Sequence, residues 1–241
     1  MKQRVVINGQ HSEWSNIVAG VPQGSVLGPL LFVVYINDIV TNIRGNIKLF
    51  ADDTALYVDV DRTEEGEAIL NADLESVRMW AKQWLVDFNS KKTVAMKVSL
   101  KTKPNPNPKL NLNDSQLQIV SSHKHLGLRF SSKLQWRDHI KCIADTANSR
   151  LVMLKRLRTR LDRRTLEILY KSFIRPTLEY GSIVWDNCDE ESKNMLDKIE
   201  LEAARVVSRR IKGTHHQALY DEVGWETLRS RREQHKLLLY H

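Results

Sequence analysis

The sequence predicts an α+β fold in which the strands come first and the second half is all helix. Three observations predict it. Up to about residue 130, short apolar runs without helical spacing are separated by turn signals such as Asn8-Gly9 and Asn113-Asp114. From Trp136 onward, apolar residues recur at steps of three and four: Trp136, Ile140, Ile143, Ala147, Leu151, Leu154 and Leu157. The stretch Lys101 to Lys109, with Pro-Asn-Pro-Asn-Pro at its centre, holds no core residue and is the clearest loop. Residues 1–130 therefore read as an α+β part and residues 131–241 as a helical part. A chain of 241 residues can hold one large domain or two small ones.

Taken in order, Arg4 to Val21 reads as a hairpin. Val5, Val6 and Ile7 form one strand, Asn8-Gly9 turns it, and Trp14, Ile17 and Val18 lie on the return. Gly20-Val21-Pro22-Gln23-Gly24-Ser25-Val26-Leu27-Gly28-Pro29 is an ordered loop punctuated by three glycines and two prolines. A helix is predicted from Pro29, a residue suited to the first helical turn, to about Asn42. It is apolar nearly all round in its early part, so it should be buried. A strand, a tight turn and a second strand come next, around Leu49 to Val58. Thr63 can cap the next helix, whose apolar face is Leu70, Leu74, Val77, Ala81 and Trp84. Val94, Met96 and Val98 alternate as on one side of a strand. Leu110 to Val120 reads as a small hairpin, and Leu126-Gly127-Leu128-Arg129-Phe130 as a further strand. Beyond the long Trp136 stripe, helices are predicted over Thr165 to Ile174, Glu190 to Ile211 and Trp225 to Tyr240.

Composition narrows the class of partner. The hydrophobic fraction of 41% and charged fraction of 27% are those of a folded protein. The net charge of +8 favours a polyanion. The charge is concentrated: Arg150, Lys155, Arg156, Arg158, Arg160, Arg163 and Arg164 are opposed only by Asp162. A solvated helix face is the plain alternative, but so lopsided a run points to phosphate binding. Cys142 and Cys188 are too few and too far apart for a zinc site or a disulfide framework. They read as thiols of a reducing, intracellular compartment, nucleus or cytoplasm. The N-terminus lacks the apolar stretch of a signal peptide, and Leu30 to Ile36 is too short to span a bilayer, so no membrane is expected.

The feature that bears on chemistry is Leu49-Phe50-Ala51-Asp52-Asp53-Thr54-Ala55-Leu56-Tyr57. Two adjacent carboxylates sit at the tip of a hairpin, where oxygen ligands are free to bind a hard cation. The dipeptide alone is better explained as a structural turn, because Asp side chains bond local backbone.

Its neighbours carry a resemblance. Gly20 to Ser25 followed by Phe50-Ala51-Asp52-Asp53 resembles two signature motifs of reverse transcriptases. The fuller wording, Gly20 to Phe32 with Tyr35-Ile36-Asn37-Asp38, is similar to the non-LTR (LINE-type) retrotransposon class and, within it, the jockey-like group. Phe88-Asn89 with Lys92-Thr93 is similar to the next motif of that family. His125-Leu126-Gly127-Leu128, with Trp136 and His139-Ile140, resembles the primer-grip region and the segment just after it. Ile174-Arg175-Pro176, Glu179-Tyr180-Gly181, Val184-Trp185, Ala203-Ala204-Arg205 and Leu219 to Trp225 extend the likeness over almost the whole chain.

The resemblance implies a partial polymerase palm followed by a helical thumb-like region, acting on an RNA template, a DNA primer and deoxynucleoside triphosphates. It implies two Mg2+ ions in the intact enzyme, with Mn2+ as a substitute, held in part by Asp52 as direct ligand and Asp53 in support. Pro22, Gln23, Gly24, Ser25, Phe50 and Ala51 would line the nucleotide and template pocket. Lys92 would sit near the triphosphate, its plain alternative being a solvated lysine beside Lys91. Leu126, Gly127 and Leu128 would hold the primer end, or form an ordinary sheet edge. Arg150, Lys155, Arg156, Arg158 and Arg160 would track the nucleic-acid backbone. His123 and His125, two apart with no third ligand after them, read as structural or surface residues.

The family also needs an aspartate from a motif upstream of Gly20, and the only acid before Gly20 is Glu13. The expectation is a C-terminal fragment that is inactive alone. A basic nucleic-acid-binding remnant without chemistry is the second reading. An unrelated metal nuclease using Asp52 and Asp53 is a distant third, since it leaves the Gly20 to Ser25 motif without a role.

Overall fold

A computed structural model describes residues 2–16, 24–101, 106–113, 115–211 and 213–239. The fold is α+β. Its contacts divide the chain into two compact units: residues 1–95 with 105–118, and residues 96–104 with 119–241. Residues 119–131, which precede the change of pattern at residue 130, fall in the same unit as the helices that come after them.

In the first unit, β1 (Lys2–Gln3) pairs with β4 (Ser15–Asn16), and β2 (Val6–Ile7) with β3 (Gln10–His11). Asn8 at φ 49° and Gly9 at φ 78° make the two-residue turn, as the Asn-Gly signal predicts. Ile17 and Val18, placed on the return strand by the sequence, lie outside the described residues.

Helix α1 (Gly28–Ile36) continues as a 3-10 turn, Asn37–Val40. It is not buried as its composition predicts. Leu30, Leu31, Val33 and Val34 are 60%, 48%, 59% and 66% exposed. Its C-terminal end packs: among the described residues, Tyr35 and Ile36 lie against the cluster of Ile39, Val77, Trp80 and Ala81. An apolar helix states what its surface prefers; whether a partner covers it is decided elsewhere.

Strands β5 (Asn46–Phe50) and β6 (Asp53–Tyr57) form an antiparallel hairpin. It lies on α2 (Thr63–Trp84), and Ile47, Leu49 and Leu56 join the cluster around Trp80. The buried stripe of α2 runs through Leu74, Val77, Trp80 and Ala81, not on to Trp84, which is over a third exposed. Thr63 is the first helical residue, and Arg62 stands at the cap position. The strand expected over Val94 to Val98 is only β7 (Val94–Ala95). The small hairpin β8 (Asn111–Leu112) and β9 (Ser115–Gln116) turns at Asn113, φ 49°, and brings Leu110, Leu112 and Leu117 onto Leu74.

The chain passes from the first unit to the second through β10 (Gln118–Ile119). In the second unit β11 (Ser122–His125) pairs with β12 (Leu128–Ser131). Among the described residues, seven α-helices come next: α3 (Arg137–Leu157), α4 (Arg163–Leu169), α5 (Arg175–Glu179), α6 (Ser182–Trp185), α7 (Glu190–Ser208), α8 (His216–Val223) and α9 (Leu228–Leu239). One core joins them, with Ile140, Ala147, Leu166, Tyr170, Leu178, Trp185, Leu196, Ala203, Leu219 and Leu228 all buried. Between α4 and α5 the helix widens to a π-turn, Tyr170–Ile174, just before Pro176, which has no N–H to give. The sequence reading missed α8, a short helix ended by Gly224 at φ 65°.

Candidate active site and nucleic-acid interface

The acid hairpin is built as its sequence predicts. The register sets Phe50 opposite Asp53, so Ala51 and Asp52 are the two loop residues, with Ala51 at φ 50°. Leu49 faces the core, so the period-two pleat puts Phe50 and its partner Asp53 on the opposite face. Both carboxylates are exposed, and neither forms an ion pair or side-chain hydrogen bond among the described residues. They are unengaged oxygen donors at the end of a rigidly based hairpin.

That base rests on a residue the sequence reading passed over. Asp73, fully buried on α2, accepts the backbone N–H groups of Arg44 (2.7 Å) and Gly45 (2.9 Å), fixing the entry to β5. Asp38 is also structural: its Oδ1 accepts from Trp80 Nε1 at 2.7 Å. A carboxylate in the middle of an apolar helix stripe was the available signal for Asp73.

The donors fit a magnesium-type ion. Mg2+ retains water and uses one or two protein carboxylates plus substrate phosphates. The two aspartates would hold it, and when bound it would supply charge neutralisation at a transferring phosphate. Among the described residues no cluster of three or more His, Cys, Asp or Glu side chains forms a fuller cage.

Of the loop residues, Gly24 (φ 81°) and Ser25 are described, and Ser25 Oγ accepts the N–H of Gly28 at 3.1 Å, fastening the loop to the start of α1. Pro22 and Gln23 lie outside the described residues. Lys92 stands on an Asn turn: Asn89 Oδ1 accepts from the N–H groups of Lys91 (3.1 Å) and Lys92 (3.2 Å), and the Asn89 carbonyl accepts from Lys92 and Thr93. The Lys92 side chain is exposed and makes no ion pair among the described residues.

In the second unit, Leu126 and Gly127 form a tight turn between β11 and β12, where the sequence reading places one continuous strand. Leu126 has φ 46° and Gly127 φ 82°. Tyr180 lies over this turn and donates its hydroxyl proton to the Leu126 carbonyl (2.9 Å). A Cβ on Gly127 would fall 2.8 Å from Tyr180 Cε1, and one on Gly181 would fall 2.8 Å from Leu128 Cδ2. The segments 125–128 and 179–181, separate motifs in the sequence, are one packed unit. Trp185 Nε1 donates to the Tyr180 carbonyl at 2.9 Å and holds it there. Beneath the turn, His139 Nδ1 accepts the N–H of Arg129 at 3.3 Å, and burial pushes the imidazole pKa down, helped by Arg129 and Lys124.

The basic run is not one helix. Helix α3 ends at Leu157 and α4 begins at Arg163. Arg150 is half-buried and engaged by the fold: it donates to the Phe173 carbonyl (2.6 Å) and the Thr177 hydroxyl, and stacks 4.3 Å from the Phe173 ring. Lys155 pairs with Glu202 at 3.0 Å. Arg158 donates to the Arg210 carbonyl at 3.4 Å. Arg156 and Arg160 are exposed and without an ion pair among the described residues. Among the described residues no helix is long and apolar enough to cross a membrane.

Residues 1–130 match the family model described as reverse transcriptase (RNA-dependent DNA polymerase), and the chain belongs to that family. The chain is 30% identical over 220 residues, 87% of its length, to the RNA-directed DNA polymerase from mobile element jockey of Drosophila melanogaster. It is 28% identical over 88% of its length to the jockey polymerase of Drosophila funebris. It is 25% identical over 90% of its length to the Pol polyprotein of the type-1 retrotransposable element R1 of Bradysia coprophila. Within the family the chain is of the non-LTR retrotransposon type. It spans 23%, 24% and 23% of those relatives' own lengths.

Proposed function

We propose that this chain supplies part of the palm and a thumb-like helical region of an RNA-directed DNA polymerase. In the intact protein, Asp52 is a direct ligand of one Mg2+ and Asp53 supports it. Lys92 faces the triphosphate, the Leu126-Gly127 turn supports the primer end, and exposed arginines contact the template–primer backbone. The observation that carries the reading is the pair of unengaged carboxylates on a hairpin whose base is fixed by Asp73. On this reading the protein's partners are an RNA template, a DNA primer and deoxynucleoside triphosphates.

The chain on its own should not polymerise. Two carboxylates leave most of a two-ion set to other donors, and no third acid joins them among the described residues. Primer extension on an RNA template with Mg2+ or Mn2+ tests both statements. The isolated chain is expected to give no product, and robust synthesis abolished by Asp52→Asn would overturn the inactivity. A chimera carrying this chain in place of the matching jockey segment is expected to extend primers and to lose that activity with Asp52→Asn. Extension indifferent to Asp52→Asn would overturn the catalytic assignment.

A further inference from the structure

We infer that the helical unit carries a compact phosphate-binding patch at one end, built from two segments far apart in sequence, and that its partner is a nucleic-acid backbone. The inference rests on the polymerase reading for the identity of that partner and goes beyond it in locating the contact. Helices α3 and α7 run parallel, as three contacts in sequence show: Arg137 with Glu191 (2.8 Å), Lys155 with Glu202 (3.0 Å) and Arg158 with the Arg210 carbonyl (3.4 Å). Their C-terminal ends therefore meet. Two reciprocal bonds tie them: Arg158 to the Arg210 carbonyl, and Arg209 to the Leu161 carbonyl at 2.7 Å.

Carbonyl partners satisfy N–H groups but leave the guanidinium charge uncompensated. The joined segments 156–164 and 209–210 carry Arg156, Arg158, Arg160, Arg163, Arg164, Arg209 and Arg210. Among the described residues, two carboxylates touch these segments. Asp162 is spent capping α4 through the Thr165 N–H (3.0 Å) and hydroxyl (2.7 Å). Glu222 is shared between Arg163 (3.4 Å) and Arg210 (2.6 Å). Arg156, Arg160 and Arg164 are exposed and make no ion pair among the described residues. Helix C-termini favour cations, which accounts for arginines that reach carbonyls. It does not account for three that reach nothing. Uncompensated guanidinium groups gathered on two joined segments offer the charge and donors that phosphates select. The sequence run 150–164 thus overstates the site on one side, since Arg150 is bonded to the Phe173 carbonyl and Thr177 hydroxyl, and omits Arg209 and Arg210.

The test is binding of a fluorescent RNA–DNA hybrid to the full chain, followed by anisotropy between about 50 and 200 mM salt. Arg156→Gln/Arg160→Gln removes charges that hold nothing in the fold. It is expected to weaken binding about tenfold and to lower the salt slope by about 2. Lys141→Gln/Lys198→Gln, which removes the same charge from exposed positions on α3 and α7 outside the joined segments, is expected to change affinity less than about twofold, since the phosphates it would have to lose are not held there. Glu222→Gln, which frees Arg163 and Arg210, is expected to tighten binding; a purely structural patch predicts no gain. Equal losses from the two double variants, or no loss from either, overturns the patch while Asp52-dependent extension by the chimera leaves the polymerase reading standing. Patch-dependent binding to phosphatidylserine vesicles that exceeds binding to the hybrid overturns the nucleic-acid partner.

Discussion

Tyr180 closes over Gly127. Its hydroxyl holds the Leu126 carbonyl at 2.9 Å, and its ring edge occupies the space a side chain at 127 would need. Gly127→Ala meets both a φ of 82° and a 2.8 Å contact, so it is expected to destabilise the second unit by about 1–3 kcal/mol. Tyr180→Phe, which keeps the ring and loses the bond, should cost less than about 1 kcal/mol because the residue is more than half exposed. Urea unfolding of the two variants and of Gly127→Ala/Tyr180→Ala checks this. The double variant should recover part of the Gly127→Ala loss, because the clash is relieved and the backbone strain is not.

Asp73 is expected to be the most sensitive polar position in the first unit. Asp73→Ala leaves the Arg44 and Gly45 N–H groups without their acceptor and should cost about 2–4 kcal/mol. Hydrogen exchange should show the loss first at residues 44–57. Protection there equal to that of the unchanged protein would count against Asp73 as the base of the acid hairpin.

The second unit contains a buried ion pair, Arg232 with Asp186 at 2.8 Å, with Lys236 also on Asp186 and Asp197 3.8 Å from Arg232. Arg232 is 1% exposed. Asp186→Ala strands it, and the expected loss is about 3–5 kcal/mol. Replacing Arg232 and Asp186 together by apolar residues should cost clearly less, as read from the shift in thermal unfolding midpoint.

Histidine 139 predicts a pH dependence. Burial lowers its pKa below the ordinary value of 6.5, with Arg129 and Lys124 adding to the effect. The unfolded chain therefore takes up a proton at a higher pH than the folded one. Stability contributed by the neutral imidazole is full above about pH 6.5 and is lost as pH falls from there through the folded pKa. Glu200 has the opposite sense. Burial raises its pKa above 4.5, against the hydrogen bonds from the Leu228 N–H and the Tyr220 and Tyr170 hydroxyls that lower it, so its ionisation costs stability as pH rises through that range. Urea midpoints compared at pH 7.5, 6.5 and 5.5 should fall in the unchanged protein. They should fall less in His139→Gln, which keeps an acceptor for the Arg129 N–H.

Much of the local structure was legible in the sequence because its causes are local. Asn8-Gly9 makes its turn where the dipeptide stands, Asn113 turns its hairpin, and the Trp136 to Leu157 stripe becomes the buried face of α3. The acid pair falls at the end of its hairpin for the same reason. What was misread depends on distant partners. Leu126-Gly127 has a strand's composition, yet the two residues form the turn between Ser122–His125 and Leu128–Ser131, and the Tyr180 that lies over them is more than 50 positions away. The Leu30 to Val34 run looks like core, and no residue near it in sequence tells whether anything covers it.

By itself, the sequence determined the α+β class, the turns, the helical stripes, the position of Asp52 and Asp53 at a hairpin tip, and the family. Tertiary structure alone decided that Asp73 anchors that hairpin, that Tyr180 clamps Gly127, and that Arg150 bonds the Phe173 carbonyl while Arg209 and Arg210 join Arg156 to Arg164. The reason is physical. Turn chemistry and periodicity act between residues a few positions apart, whereas these contacts join residues 23 to 54 positions apart. Whether an arginine meets a carbonyl, a carboxylate or water depends on which helix ends the packing brings together.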